Sequence, residues 1–389
     1  MSGKLKSGAL IAAILCLAIP ATASAASLEY AYIYKSTRAM GMGGAYTAIG
    51  GRVDSLFYNP AGLINIPQDK GWEVNLINVS AEYGKNTKKF LRDTKDATNT
   101  TDANSSGSAD DDKLQAMNNV LSEYRGQNLH ARVADFTSIG KSYDKWAFGL
   151  GGIASGRLDA STHQGFGADG FLEVSADALY GAIGGFSIAV TDNLYAGVGV
   201  KSLHRESLIH NFTVRELVDH QDDLNSFIKN DLREKGDAYG ADLGLIWKFT
   251  KTSKLKPAIG VSAMNIGGLH FGQAGMMPMT VNAGVSINPT VPAVRSLVVG
   301  VDYVDVLNNN KQDKDQAKRL RAGAEVQLVD VMPFELTLRA GMYQKKPTVG
   351  CDVRLLIFTV SYAMYTEEVG AYAGQDKDKR QLVTLNIGW

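Results

Sequence analysis

The chain has 389 residues with 40 basic and 40 acidic side chains, so its net charge is zero and nothing predicts a nucleic-acid or anionic partner. Hydrophobic residues make up 45%, yet mean hydropathy is −0.11 and no long apolar run follows the first twenty residues, which argues against transmembrane helices. Only two cysteines occur, Cys16 and Cys351.

Residues 1–25 read as a secretion signal. Lys4 and Lys6 form a positive start, Ala9–Ile19 an apolar stretch, and Ala21-Thr22-Ala23 and Ala23-Ser24-Ala25 offer two small-x-small cleavage sites. Leu15 stands where a lipidated Cys16 would require a small residue. Cleavage leaves Cys351 alone, so an exported chain of this size has no internal disulfide and must bury apolar surface against itself or against lipid.

Next comes "AMGMGGAYTAIGGRVDSLFYNPAGL", Ala39–Leu63. A phosphate-binding loop needs Lys-Ser/Thr after its last glycine, and a dinucleotide fold needs G-x-G-x-x-G between strand and helix. Gly41-Met42-Gly43-Gly44-Ala45-Tyr46 supplies neither.

From residue 71 onward the apolar residues alternate. Leu194, Ala196, Val198 and Val200 oppose Tyr195, Gly197, Gly199 and Lys201. Leu320, Ala322, Ala324, Val326 and Leu328 oppose Arg321, Gly323, Glu325 and Gln327. The period is two, that of a strand with one greasy face. About fourteen such segments are predicted: 72–83, 129–140, 145–154, 176–190, 193–204, 237–249, 256–265, 279–287, 295–305, 318–329, 334–343, 348–355, 357–366 and 380–389. Short connections (191–192, 288–294, 330–333) interleave with long ones (84–128, 155–175, 205–236, 367–379); only 344–347 is shorter than its side predicts. An even strand count with short turns on one rim and long loops on the other predicts an all-β fold, a transmembrane antiparallel barrel of about 14 strands in a bacterial outer membrane.

Charges recur opposite the greasy face, at Lys201, Asp242, Asp302, Arg321, Glu325, Glu335, Arg339, Asp352 and Arg354. They are expected inside, mostly pairing across strands, with Arg321 and Glu325 facing Glu335 and Arg339.

The long loops carry helical patterns. Leu114, Met117, Leu121 and Tyr124 share one helical face; so, at three- and four-residue intervals, do Leu217, Leu224, Phe227, Ile228 and Leu232. "GLHFGQAGMMPM", with Leu269, Phe271, Met276, Met277 and Met279, offers another apolar rim. Between them "NTTDANSSGSADDDK" reads as a solvated loop, and Asp110-Asp111-Asp112 lacks the spacing of a calcium loop. No G-x-S-x-G or H-E-x-x-H occurs, and His204, His210 and His220 are six and ten apart, unsuited to one helix face. No enzyme activity, cofactor or metal is expected.

The ending "QLVTLNIGW" puts Val383, Leu385, Ile387 and Trp389 on one face and finishes on an aromatic. It looks like the signal that outer-membrane barrels present to their assembly machinery.

Arg38-Ala39-Met40-Gly41-Met42-Gly43-Gly44-Ala45-Tyr46 followed by Tyr58-Asn59-Pro60-Ala61-Gly62-Leu63 resembles the N-terminal plug of the FadL-type family, outer-membrane transporters of long-chain fatty acids and other hydrophobic compounds, and of its PorV-type and conjugal-transfer TraF-like relatives. The ending "EEVGAYAGQDKDKRQLVTLNIGW" looks most like the TraF-like branch. The resemblance implies a plug over residues 26–70 folded back inside a barrel of residues 71–389, with Gly41, Gly43, Gly44, Asn59, Pro60 and Gly62 shaping it. It also implies that loop residues such as Leu217, Leu224, Phe227, Ile228, Phe271, Met276 and Met277 receive a hydrophobic solute. The expected partners are outer-membrane lipid, the assembly machinery and a hydrophobic small molecule. The alternative is a non-transporting barrel serving secretion, envelope assembly or conjugation, with an unknown protein partner.

Overall fold

The computed structural model describes residues 29, 31–99, 109–164, 170–213, 216, 232–249, 253–310, 316–370 and 376–389. Fourteen antiparallel strands close into a barrel: β1 (Glu73–Gly84), β2 (Asn128–Ser142), β3 (Trp146–Gln164), β4 (Gly170–Ala189), β5 (Leu194–Thr213), β6 (Glu234–Lys248), β7 (Ala258–Met264), β10 (Thr280–Ile287), β11 (Ser296–Tyr303), β12 (Leu320–Val331), β13 (Phe334–Tyr343), β14 (Lys346–Leu355), β15 (Phe358–Glu368) and β16 (Lys377–Gly388). Two short strands, β8 (Leu269–His270) and β9 (Met276–Met277), form a separate ribbon in the loop between β7 and β10. Each barrel strand pairs with its sequence neighbours, and β1 closes on β16. Every predicted strand segment lies on one of these.

Alternation sorts the side chains. Val198, Val200, Leu243, Leu245 and Ile259 are exposed on the outer wall, while their strand neighbours Lys201, Asp242 and Ile246 are buried inside. Trp72, Trp146, Phe186, Trp247 and Trp389 ring the short-turn rim, where Trp146 stacks on Phe186 at 5.8 Å between ring centroids. Tyr180 and Tyr239 are exposed toward the other rim. An apolar band bordered by an aromatic rim is the outer surface of a membrane barrel. Among the described residues no helix is long and apolar enough to cross a membrane.

One expectation needs correction. Most of 155–175 and the start of 205–236 are strand rather than loop, because β3, β4 and β5 run 19, 20 and 20 residues and rise past the lipid band as tall hairpins. The β1–β2 loop carries two helices, α2 (Thr87–Asn99) and α3 (Ala109–Glu123), which follow a short helix α1 (Thr37–Gly41) in the chain. The registers of β2–β3, β3–β4 and β4–β5 are unbroken, so parity assigns faces: Phe136, Ile153, Leu179 and Leu203 point inward, and Leu129, Leu158, Leu172, Val174 and Leu208 point outward. Phe90 of α2 and Leu121 of α3, with Tyr124 just beyond it, pack on that outward set. The helices therefore clad the outside of the tall hairpins.

Candidate functional site: the plug and its seat

Residues 31–66 are threaded into the lumen; short turns within the segment satisfy many of their backbone polar groups, and inward side chains of the wall satisfy others. Asp302 Oδ2 accepts from Tyr46 N (2.6 Å) and Thr47 N (2.7 Å). Ser262 donates to Tyr58 O (2.7 Å), Ser187 to Ala61 O (3.1 Å), Thr348 to Gly41 O (3.0 Å) and Ser142 to Ile64 O (3.0 Å). A segment without regular structure stays buried only when its N–H and C=O groups find such partners.

Asn59 and Pro60 build the turn that fits deepest. Asn59 Oδ1 accepts from Ala61 N (3.0 Å) and caps a 3₁₀ turn over Pro60–Asn65; Pro60 stands at its first position, where no N–H is needed. Asn59 Nδ2 donates to Thr47 O (2.8 Å) inside the plug and to Leu245 O (3.2 Å) in the wall. Wall glycines make room: a Cβ on Gly197 would lie 2.3 Å from Ala61 N, and one on Gly260 2.4 Å from Thr47 O. Within the plug, Gly43 has φ +67°, and a Cβ there would stand 2.4 Å from Ala322 O. Gly41 and Gly44 press on Arg339 and Arg321 respectively, and Gly62 packs against Gly50.

The predicted luminal charges separate into different environments. Glu325 lies opposite Arg339, as expected, and Arg339 Nε donates to Glu325 Oε2 at 2.6 Å. The other half of that expectation is wrong: Arg321 lies opposite Tyr343, stacking 3.9 Å from its ring centroid, and Glu335 lies opposite Asp330 near the short-turn rim, bound by Lys70 at 2.8 Å. Inward position alone does not set which rows meet. The plug completes the Glu325 pair. Arg38 grips Glu325 with two bonds (2.8 and 2.7 Å), Arg339 grips Asp352 with two (both 2.6 Å), and Arg52 reaches Asp352 at 3.1 Å. The ladder Arg38–Glu325–Arg339–Asp352–Arg52 thus ties plug to wall at both ends.

A second ion network, missed from the sequence, closes the loop end. Lys35 Nζ contacts Glu29 (2.6 Å), Glu367 (3.2 Å), Glu82 (3.3 Å) and the Tyr365 hydroxyl (2.9 Å). Burial, the strongest influence on the Lys35 ammonium, favours its neutral form, but these carboxylates together outweigh it and hold its pKa well above the usual lysine range. His130 bridges Glu82 (2.9 Å) and Asp159 (2.6 Å), and Arg380 joins Glu29, Glu82 and Asp378. Glu29, His130 and Asp159 bring ligand atoms within 4.8 Å of one another, but Lys35, Arg380 and Arg157 already provide the positive charge there. The signal available in sequence was an inward Glu82 and an inward Arg380 at the ends of adjacent strands.

The β2–β6 side of the lumen is different. A contiguous packed column runs from Phe271, Leu269 and Met277 of the loop ribbon through Leu203, Leu179 and Ile183 to Phe136, where it meets Tyr34, Phe57 and Leu56 of the plug. Of the predicted solute-receiving residues, Phe271 and Met277 are therefore buried at its head and Met276 is exposed beside them; Leu217, Leu224, Phe227 and Ile228 lie outside the described residues, as does the 1–25 signal. Below the plug, a cavity of about 1050 Å³ occupies the short-turn half of the lumen, lined by charged side chains such as Arg52, Glu73, Lys248 and Arg354 and by apolar ones such as Ile64 and Phe136. Val383, Leu385, Ile387 and Trp389 point outward on β16, with Leu385 and Trp389 exposed.

No family model and no curated protein sequence matches the chain. Solved structures do. The Ralstonia pickettii toluene transporter TbuX aligns over 93% of this chain and 99% of its own with TM-score 0.54 at 13% identity. A TodX monoaromatic hydrocarbon channel variant lacking S2 aligns over 91% and 99% with TM-score 0.52 at 12% identity, and the CymD monoaromatic hydrocarbon channel over 92% and 99% with TM-score 0.50 at 10%. At these identities the likeness is one of fold, and this chain is built on the same barrel architecture as those channels.

Proposed function

We propose that this protein is an outer-membrane barrel of the FadL type that passes hydrophobic or amphipathic small molecules down their gradient, with residues 26–70 as the gating plug and 71–389 as the barrel. The observation that carries the reading is the apolar column. It gives one side of an otherwise charged lumen a continuous greasy lining, from the loop ribbon to the plug, and fold neighbours named as transporters or channels of toluene and monoaromatic hydrocarbons support the solute class. A solute enters at Phe271, displaces column side chains past Phe136 and leaves by the vestibule below the plug or through the wall. The wall is irregular near the column's foot, where β1 shifts register between Asn75 and Val79 and Asn78 hydrogen-bonds the Tyr34 hydroxyl at 3.3 Å. This irregularity is on β1, whereas Asn59 seats against β6 and β7.

One observation favours a second reading, a sealed barrel that anchors or hands on a protein, the role in which the TraF-like ending would make sense: the arginine–carboxylate ladder and the Lys35 network bolt the plug in place. Uptake decides between them. Cells carrying the protein should accumulate radiolabelled toluene or oleate faster than cells lacking it, and Asn59→Ala should lower that gain. Equal uptake with and without the protein, with the barrel confirmed in the outer membrane, would sink transport and leave the partner role.

A further inference from the structure

On one quarter of the loop-side rim the wall carries a row of lysines directed away from the lumen. The "KDKR" run 377–380 sorts by strand alternation: Asp378 and Arg380 are buried inside, where they bind each other at 2.8 Å, and Lys377 and Lys379 are exposed outside. Lys85 follows on the adjacent strand end, its N–H bonded to Lys379 O at 2.9 Å, and Lys88 is exposed on the first turn of α2. The exposed Lys345 of the β13–β14 turn extends the row. Acidic groups near the row are already engaged: on α2 and α3, Asp93 and Glu123 pair with Lys89. Glu368 lies opposite Lys377 but is buried, accepting from Asp376 N at 2.6 Å, and Asp376 takes the Asn128 amide at 2.7 Å. Among the described residues Lys85, Lys88 and Lys379 have no ion-pair partner.

What lies just below gives the row its height in the membrane. The hydroxyls of Tyr83 and Tyr362 both donate to Gln381 Oε1 (3.3 and 3.2 Å), forming an outward tyrosine–amide ridge between the lysines and the apolar wall of Val79, Val360 and Leu385. Tyrosines prefer the level where hydrocarbon gives way to headgroups, so the lysines stand in the headgroup layer. Across the barrel the same level is charge-matched: Lys235 and Arg233 bind Glu206, and His204 binds Asp237. The excess positive charge is therefore local, in a protein of zero net charge.

We propose that Lys85, Lys88 and Lys379, flanked by Lys377, bind the phosphorylated headgroup of an outer-leaflet glycolipid, with its acyl chains along Val79, Val383 and Leu385. Compact ammonium groups on flexible stems suit phosphate as point charges. The inference rests on the outer-membrane placement above but not on transport, so failure of the uptake experiment leaves it intact.

The test uses the full chain purified in detergent and titrated by native mass spectrometry with diphosphorylated lipid A, with dephosphorylated lipid A and with inorganic phosphate. The wild type should retain diphosphorylated lipid A and bind the dephosphorylated form far more weakly. The triple variant Lys85→Gln/Lys88→Gln/Lys379→Gln should lose affinity by roughly a hundredfold, at about a factor of five per headgroup-level lysine. Lys235→Gln on the opposite rim should leave affinity unchanged. A gel-mobility shift on heating confirms that each variant is a folded barrel. Equal binding by the triple variant, equal binding of the dephosphorylated lipid, or displacement of lipid by equimolar inorganic phosphate would each overturn the proposal.

Discussion

Glu325→Ala is expected to destabilise the folded protein by about 3–5 kcal/mol, the range seen when one partner of a buried ion network is removed. Glu325 receives Arg38 from the plug and Arg339 from β13, and Arg339 is fully buried. Removing the carboxylate leaves Arg38 without its wall contact and Arg339 with only Asp352, so positive charge remains in a site built to have it matched. Glu325→Gln keeps the shape and should recover part of the loss. Guanidinium unfolding in lipid vesicles, followed by tryptophan fluorescence, reads the difference; a loss below about 1 kcal/mol would mean that the ladder behaves as a solvated surface pair.

The second large effect is expected from Gly197→Val. Valine is a good strand residue, so β5 should still pair and the barrel should assemble. Its side chain, however, would occupy space held by the backbone of Pro60 and Ala61, where a Cβ already comes within 2.4 Å of Pro60 C. Overpacking costs about 1–3 kcal/mol, which shifts the seated-to-unseated ratio of the plug by roughly ten- to a hundredfold. Planar-bilayer recordings should show frequent conductance openings for Gly197→Val and rare ones for the wild type. Matching traces would mean that the plug can shift without opening the lumen.

Strand number and order were legible because a barrel in lipid imposes period two on every strand and leaves glycine, serine and charge on the inner face. The Glu325–Arg339 pair followed from the same pattern with a turn at Asp330–Pro333. The tall parts of β3–β5 were not legible as strand. Above the lipid band their inner face holds Arg157, Asp159 and Asp177, and the composition of a solvated loop results. Their outer face stays apolar at Leu158, Leu172 and Val174 only because α2 and α3 cover it. The turn at Asn59–Pro60 was legible, because its chemistry is local. The Lys35 network was not, since Lys35, Glu82, His130 and Arg380 lie far apart in sequence and meet only after barrel closure.

If the apolar column is the solute's path, a crystal soaked in bromobenzene should show anomalous bromine peaks along it between Phe271 and Phe136, with Leu203, Leu179 or Ile183 turned aside to admit the ring. Bromine confined to the outer wall, with the column unchanged, would contradict it.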